Sequence, residues 1–333
     1  FKRGAHVARI QSALYSGEQL ALVRAGISSY IATGDWVAAD KYKRYLFRVE
    51  RQSLPSGAET AEALMQHAAW QGEAYALGID ENEARPARLQ LMWDLYRTAL
   101  RELIKDYGDE APQLREPLLG MLRTQYLLSG YQSYEETLAA TSPEERPLPY
   151  TSQRYNRGET VLKGLLDLNI MNNVALTQHV RDLVALGDWA WWFSKREEAQ
   201  ALYNEAMALI DAAKETANEE ELAVVEDLYY ELFSLPTALP AIEGMKTLPT
   251  PRWGNQGALV VRFSVTDTGR VIGLERLASP EVEAERPLDR LVRAVKNTRF
   301  RPRFVDGAPA ATEDIIWSWQ PGAWQASPRA VSD

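Results

Sequence analysis

Acid–base, nucleophilic or metal chemistry draws on histidine, cysteine or paired carboxylates, and this chain is poor in the first two. Its three histidines, His6, His67 and His179, lie far apart and outside any H-E-x-x-H pattern. It has no cysteine, which excludes disulfides, thiolate metal sites and a cysteine nucleophile. No pair of carboxylates stands at a readable catalytic spacing. The expectation is therefore no catalytic residue, no metal site and no cofactor. What could recognise a partner is aromatic or basic. Trp189, Trp191, Trp192 and Phe193 could form a stacking platform for sugar or peptide. Residues three and four apart on a helix share a face, so most of this cluster is expected in a core, with one ring left for a groove. The basic run Arg290, Arg293, Lys296, Arg299, Arg301 and Arg303 could face an anionic envelope polymer or an acidic peptide. It reads first as a solvated helix face followed by an exposed strand.

The elements that must carry these residues follow from composition and period. The chain has 333 residues, 46% hydrophobic and 25% charged, with a formal net charge of −9. That is a globular composition with room for two domains. The net acidity speaks against a general nucleic-acid coat, which needs clustered Lys and Arg. No apolar run approaches the roughly 20 residues that cross a bilayer. The first residue is Phe1 rather than Met, which leaves a signal peptide or an upstream anchor open.

Residues 1–235 place apolar side chains at three- and four-residue spacing, predicting helices. Breakers divide them at Gly34-Asp35, Pro55-Ser56-Gly57, Gly78 to Pro86, Gly108 to Pro117 and Thr141 to Gly158. Asn218 before Glu219, Glu220 and Glu221 marks a helix start, with a cap oxygen and a reciprocal side chain three residues on. Residues 236–257 then bring Pro236, Pro240, Gly244, Pro249, Pro251, Gly254 and Gly257, which read as a linker. Net charge changes sign there, from −12 over 1–244 to +3 over 245–333.

Within the helical part, Leu186-Gly187, Ala199, Tyr203 and Ala206 resemble a tetratricopeptide repeat, where small residues let two helices approach and an aromatic fills the groove. Tyr30, Gly34-Asp35-Trp36 and Ala39 echo it, and Trp93, Tyr96 and Ala99 match its second helix alone. Ala190 stands where the repeat has an aromatic, and no strict 34-residue period joins the windows. A helical-hairpin solenoid is expected rather than a regular array.

After the linker the period becomes two. Ala258 to Thr266 alternates Leu259, Val261, Phe263 and Val265 against Val260, Arg262 and Ser264, predicting a strand. A tight turn at Gly269 leads to a second strand over 270–277. Leu288, Leu291, Val292 and Val295 form one helix stripe behind Pro287. A turn at Asp306-Gly307 and a last strand over 314–319 complete the unit. This order, with VVRFSV after Gly257, Gly269-Arg270-Val271, Leu288-Asp289, the RFRP run at 299–302 and DGAP at 306–309, resembles the C-terminal domain of TonB-family energy transducers. The resemblance covers Pro249 to Gln320. Thr250-Pro251 replaces the family's Tyr-Pro, and helices occupy the place of its Pro/Glu/Lys-rich spacer.

The fold expected is mainly α: a tetratricopeptide-like helical domain over 1–235, a linker over 236–257 and a small α+β TonB-like domain over 258–325. The resemblance implies a periplasmic, non-enzymatic protein of a Gram-negative envelope that docks an extended peptide of an envelope or outer-membrane partner, with a place in TonB-dependent transport. It implies a sheet edge that accepts this peptide by β-augmentation. The edge expected is the backbone of Ile315, Ile316, Trp317, Ser318 and Trp319. The rival reading is a glycan- or peptidoglycan-acting enzyme with a helical groove lined by tryptophans.

Overall fold

The computed structural model describes residues 17–80, 85–130, 148–245, 248–279 and 285–320. His6, the breaker residues 81–84 and 141–147, and the last residues of the expected C-terminal domain, 321–325, lie outside them. The protein is mainly helical, with a small sheet region at its C-terminal end. Its chain divides into two compact units, one up to Arg146 and one over Pro147–Ser327.

The first unit holds α1 (Leu20–Ala32), α2 (Trp36–Ser53), α3 (Ala58–Leu77), α4 (Arg85–Tyr107) and α5 (Arg115–Gly130), each packed on the next. Asp35 caps α2 by accepting from the Ala38 N–H at 3.0 Å, just after Gly34 turns the chain at φ 73°. The echo residues Ala39, Trp93, Tyr96 and Ala99 are buried. Gly120 lies so close to the Tyr96 ring that no side chain fits there. Between α2, α3 and α4 runs a buried polar network. Arg88 donates to Asp40 at 3.0 Å and to Gln71 Oε1 at 2.8 Å, and Trp70 Nε1 donates to Asp40 at 2.8 Å.

The second unit begins with α6 (Leu148–Met171), α7 (Leu176–Trp192), α8 (Arg196–Thr216) and α9 (Glu219–Tyr229). α7 and α8 form a tight hairpin in which Ala199, Tyr203 and Ala206 are fully buried. The Tyr203 ring would meet a Cβ at Gly187 at 2.5 Å, so glycine sets the helix separation there. The cap of α9 is the one its sequence signals: Asn218 Oδ1 accepts from the N–H groups of Glu220 and Glu221, and Glu221 accepts from the Asn218 N–H.

The strands are β1 (Thr237–Ala238), β2 (Arg252–Trp253), β3 (Leu259–Val265), β4 (Val271–Ala278), β5 (Phe300–Arg301), β6 (Arg303–Val305), β7 (Ala308–Ala310) and β8 (Thr312–Trp319), with α10 (Glu285–Asn297) after β4. The main sheet is antiparallel in the order β2-β8-β3-β4. Its core gathers Leu259, Val261, Phe263 and Val265 of β3, Leu288, Leu291 and Val295 of α10, Phe300, and Ile315, Trp317 and Trp319 of β8. Alternation in β3 and the stripe on α10 thus become two faces of one apolar layer. Gly269 turns β3 into β4 at φ 73°, and a side chain there would run into the Phe300 carbonyl.

The residues expected to form a linker are part of this fold. β1 pairs with β5 and β2 with β8, and Leu239 and Ile242 are buried. Proline and glycine density marked chain that cannot be helical; it did not mark chain without partners.

Candidate peptide-docking edge

β8 is positioned by Phe263 opposite Ile315 and by Val261 opposite Trp317, deep in the sheet. The expectation that 314–319 is an edge strand needs correction: β8 is interior, with β3 on one side and β2 on the other. The cause is β2 itself, two residues from the proline-rich stretch that pair Arg252 with Ser318 and Trp253 with Trp317.

The expected site residues separate by parity. The side chains of Ile315, Trp317 and Trp319 belong to the core against α10. Ile316 and Ser318 turn their backbone groups to the β2 side. The Ile316 carbonyl accepts from the Gly254 N–H at 3.0 Å, and in a strand the N–H of the same residue points the same way. The segment over β8 is further held where Trp319 Nε1 donates to the Pro249 carbonyl at 2.9 Å and Ser318 Oγ to the Arg252 carbonyl at 3.3 Å. Arg252 and Trp253 are themselves exposed.

The opposite edge is β4. Among the described residues no strand pairs with its outer side. It carries the devices that discourage an added strand: Gly273 at φ 62°, a register shift against β3, and the adjacent charges Glu275 and Arg276. β8 has a register shift against β3 and Asp314 at φ 52° near its start; toward its end the strand paired on its outer side, among the described residues, is the two-residue β2.

The other candidates from the sequence are structural. Trp189 is fully buried and donates to the Tyr155 carbonyl at 2.9 Å; Trp191 donates to the Phe300 carbonyl at 2.9 Å. Phe193 packs on Tyr155 and Trp189, while Arg299 lies over the Trp192 ring and donates to the Trp192 carbonyl. Of these rings, Trp191 also lines two clefts of the second unit. Arg301, expected in a solvated run, is 2% exposed and forms an ion pair with Asp188 at 2.7 Å. Burial holds the Asp188 carboxyl above its usual range, against the pull of Arg301 and of the Tyr203 hydroxyl. Sequence reasoning missed this pair, since its members stand 113 residues apart.

His67 stacks on Phe47 at 4.1 Å and is buried, which lowers its pKa to about 4. His179 is half-buried. Among the described residues no group of three His, Asp or Glu side chains could hold a metal ion. No helix among them is long and apolar enough to cross a membrane. No protein-family model matches the chain, and no curated protein matches it.

Proposed function

We propose that this protein is a non-enzymatic interaction protein of a Gram-negative cell envelope, in which helical hairpins scaffold a TonB-like C-terminal domain that docks an extended peptide by strand addition. The observation that carries the reading is the outer side of β8, an eight-residue strand whose strand partner there, among the described residues, is the two-residue β2. An incoming extended segment takes the place of β2 and pairs with the backbone of Ile316 and Ser318. Main-chain hydrogen bonds supply affinity, each about 0.5–1.5 kcal/mol net. The periplasmic location and the place in TonB-dependent transport rest on the order of motifs from VVRFSV to DGAP. The helical part offers a partner surface of its own, a cleft of about 390 Å³ between α2, α3 and α4 that includes Phe47, Leu64, Leu91 and Leu95.

The test is selection of extended peptides from a displayed random library on the parent, Ile316→Pro and Ile315→Pro. Proline at 316 removes a donor on the docking side; proline at 315 removes one aimed at β3. Ile316→Pro is expected to stay folded and lose the selected peptides, while Ile315→Pro loosens the sheet. A folded Ile316→Pro that binds them as well as the parent refutes the docking edge.

A further inference from the structure

One cleft of the second unit is built from cations. It measures about 300 Å³ and is floored by the buried Trp191 and Gly269. Arg196 enters it from the start of α8, Arg270 from the β3–β4 turn, Lys296 from the end of α10, and Arg299 from the segment that follows. Four positive side chains from distant parts of the chain thus line one concavity, and among the described residues no carboxylate lines it. Glu197 and Asp267 line an adjoining cleft that shares Trp191, Arg196 and Thr268.

The arrangement is set in place by the fold. Trp191 Nε1 is bound to the Phe300 carbonyl, and the Phe300 N–H donates to the Gly269 carbonyl at 2.9 Å. Arg299 is fixed by its bond to the Trp192 carbonyl and by the Trp192 ring, 5.3 Å from its guanidinium carbon. The side chains of Arg196, Arg270 and Lys296 form no ion pair among the described residues. Asn297 and Ser194 add neutral polar groups at the rim. Arg196, Arg270 and Lys296, gathered without counter-charge among the described residues, repel one another, and a multiply charged anion relieves that repulsion more than a single carboxylate does. Arginine forks match the oxygens of a phosphate in bidentate geometry. The volume admits a phosphate with a small organic group against Trp191 and Val271.

We infer that this cleft binds a phosphomonoester dianion, through Arg196, Arg270 and Lys296. The inference is independent of peptide docking at β8, since none of these residues belongs to that strand. The test is isothermal titration calorimetry of the whole chain at low salt with inorganic phosphate, phenyl phosphate and acetate. Co-sedimentation with phosphatidylcholine vesicles carrying phosphatidic acid runs beside it. Arg270→Gln/Lys296→Gln is compared with Arg97→Gln/Arg101→Gln, an equal charge change on exposed residues of the first unit.

Phosphate and phenyl phosphate are expected to bind the parent, at least about tenfold more weakly to the cleft variant, and unchanged to the control, the scale of one lost charge-assisted bond. Binding to vesicles alone, lost in the cleft variant only, supports the same chemistry with a lipid headgroup as its source. Arg196→Gln serves should the double variant fail to fold. No binding of any phosphate, equal weakening in the control, or acetate binding as tightly overturns the proposal.

Discussion

Replacing Arg301 by Met removes one half of an ion pair that holds α7 to the strand after α10. Asp188 and Arg301 are 1% and 2% exposed, with Nη1 2.7 Å from Oδ2. The Tyr203 hydroxyl donates to Asp188 Oδ1 at 2.9 Å, and Arg301 Nη2 donates to Thr237 at 3.2 Å. Arg301 Nε is buried without a hydrogen-bond partner among the described residues, so the pair is not fully satisfied. Breaking a buried pair leaves an uncompensated charge and costs about 3–5 kcal/mol, whereas removing both charges is often close to neutral. Arg301→Met should therefore destabilise the second unit by about 3–5 kcal/mol at pH 8. Asp188→Asn/Arg301→Met, whose Asn still accepts from Tyr203, should recover most of that loss. The sign with pH follows from Asp188, whose folded pKa is already raised by burial. Without Arg301 it rises further, so the native state binds the extra proton and the penalty shrinks as pH falls from 8 to 5. Urea unfolding followed by near-ultraviolet circular dichroism, with hydrogen exchange to separate the two units, measures both effects. A single variant within 1 kcal/mol of the parent, or a double variant no better than the single, would show that the pair does not hold the helices to the sheet.

Three further outcomes follow from local geometry. His67 should titrate near 4 in a nuclear magnetic resonance pH series, because burial disfavours its charged form; the Gln71 amide, whose oxygen accepts from Arg88, lies 3.1 Å from its Nε2. Its folded pKa lies below the unfolded 6.5, so up to about 3 kcal/mol of stability is lost as pH falls from 6.5 to 4; a ring titrating above 6 contradicts the buried network. Ala199→Trp or Ala206→Trp should lower thermal stability by on the order of 1–3 kcal/mol, since both alanines are fully buried between α7 and α8. Gly269→Ala should cost about 2 kcal/mol or more, from its positive φ and the Phe300 carbonyl in the way; unchanged melting would show that the turn adapts.

Features set by neighbours in sequence were legible. The Asn218 cap, the alternation of β3, the stripe of α10 and the glycine at 269 each depend on a few adjacent residues. The same holds for the small residues of the α7–α8 hairpin. Features set by distant partners were not. β2 is two residues in a stretch rich in proline and glycine, and only β8, more than 60 residues on, makes it a strand. Its presence turned the expected edge into an interior strand. Arg301 sits in a basic run whose other members are mostly exposed, and nothing local tells that Asp188 awaits it. The cationic cleft is of the same kind. Its four side chains come from three stretches of chain, and Arg196 and Arg270 lie outside the basic run at 290–303.

Hydrogen exchange with and without a selected peptide asks directly whether an extended partner replaces β2 on β8. The amide of Gly254, bound to the Ile316 carbonyl in the free protein, should lose protection when peptide binds, while Ile316 and Ser318 stay protected. Peptide binding that leaves Gly254 protected and instead slows exchange along β4 would place the docking edge on the other side of the sheet and contradict the account.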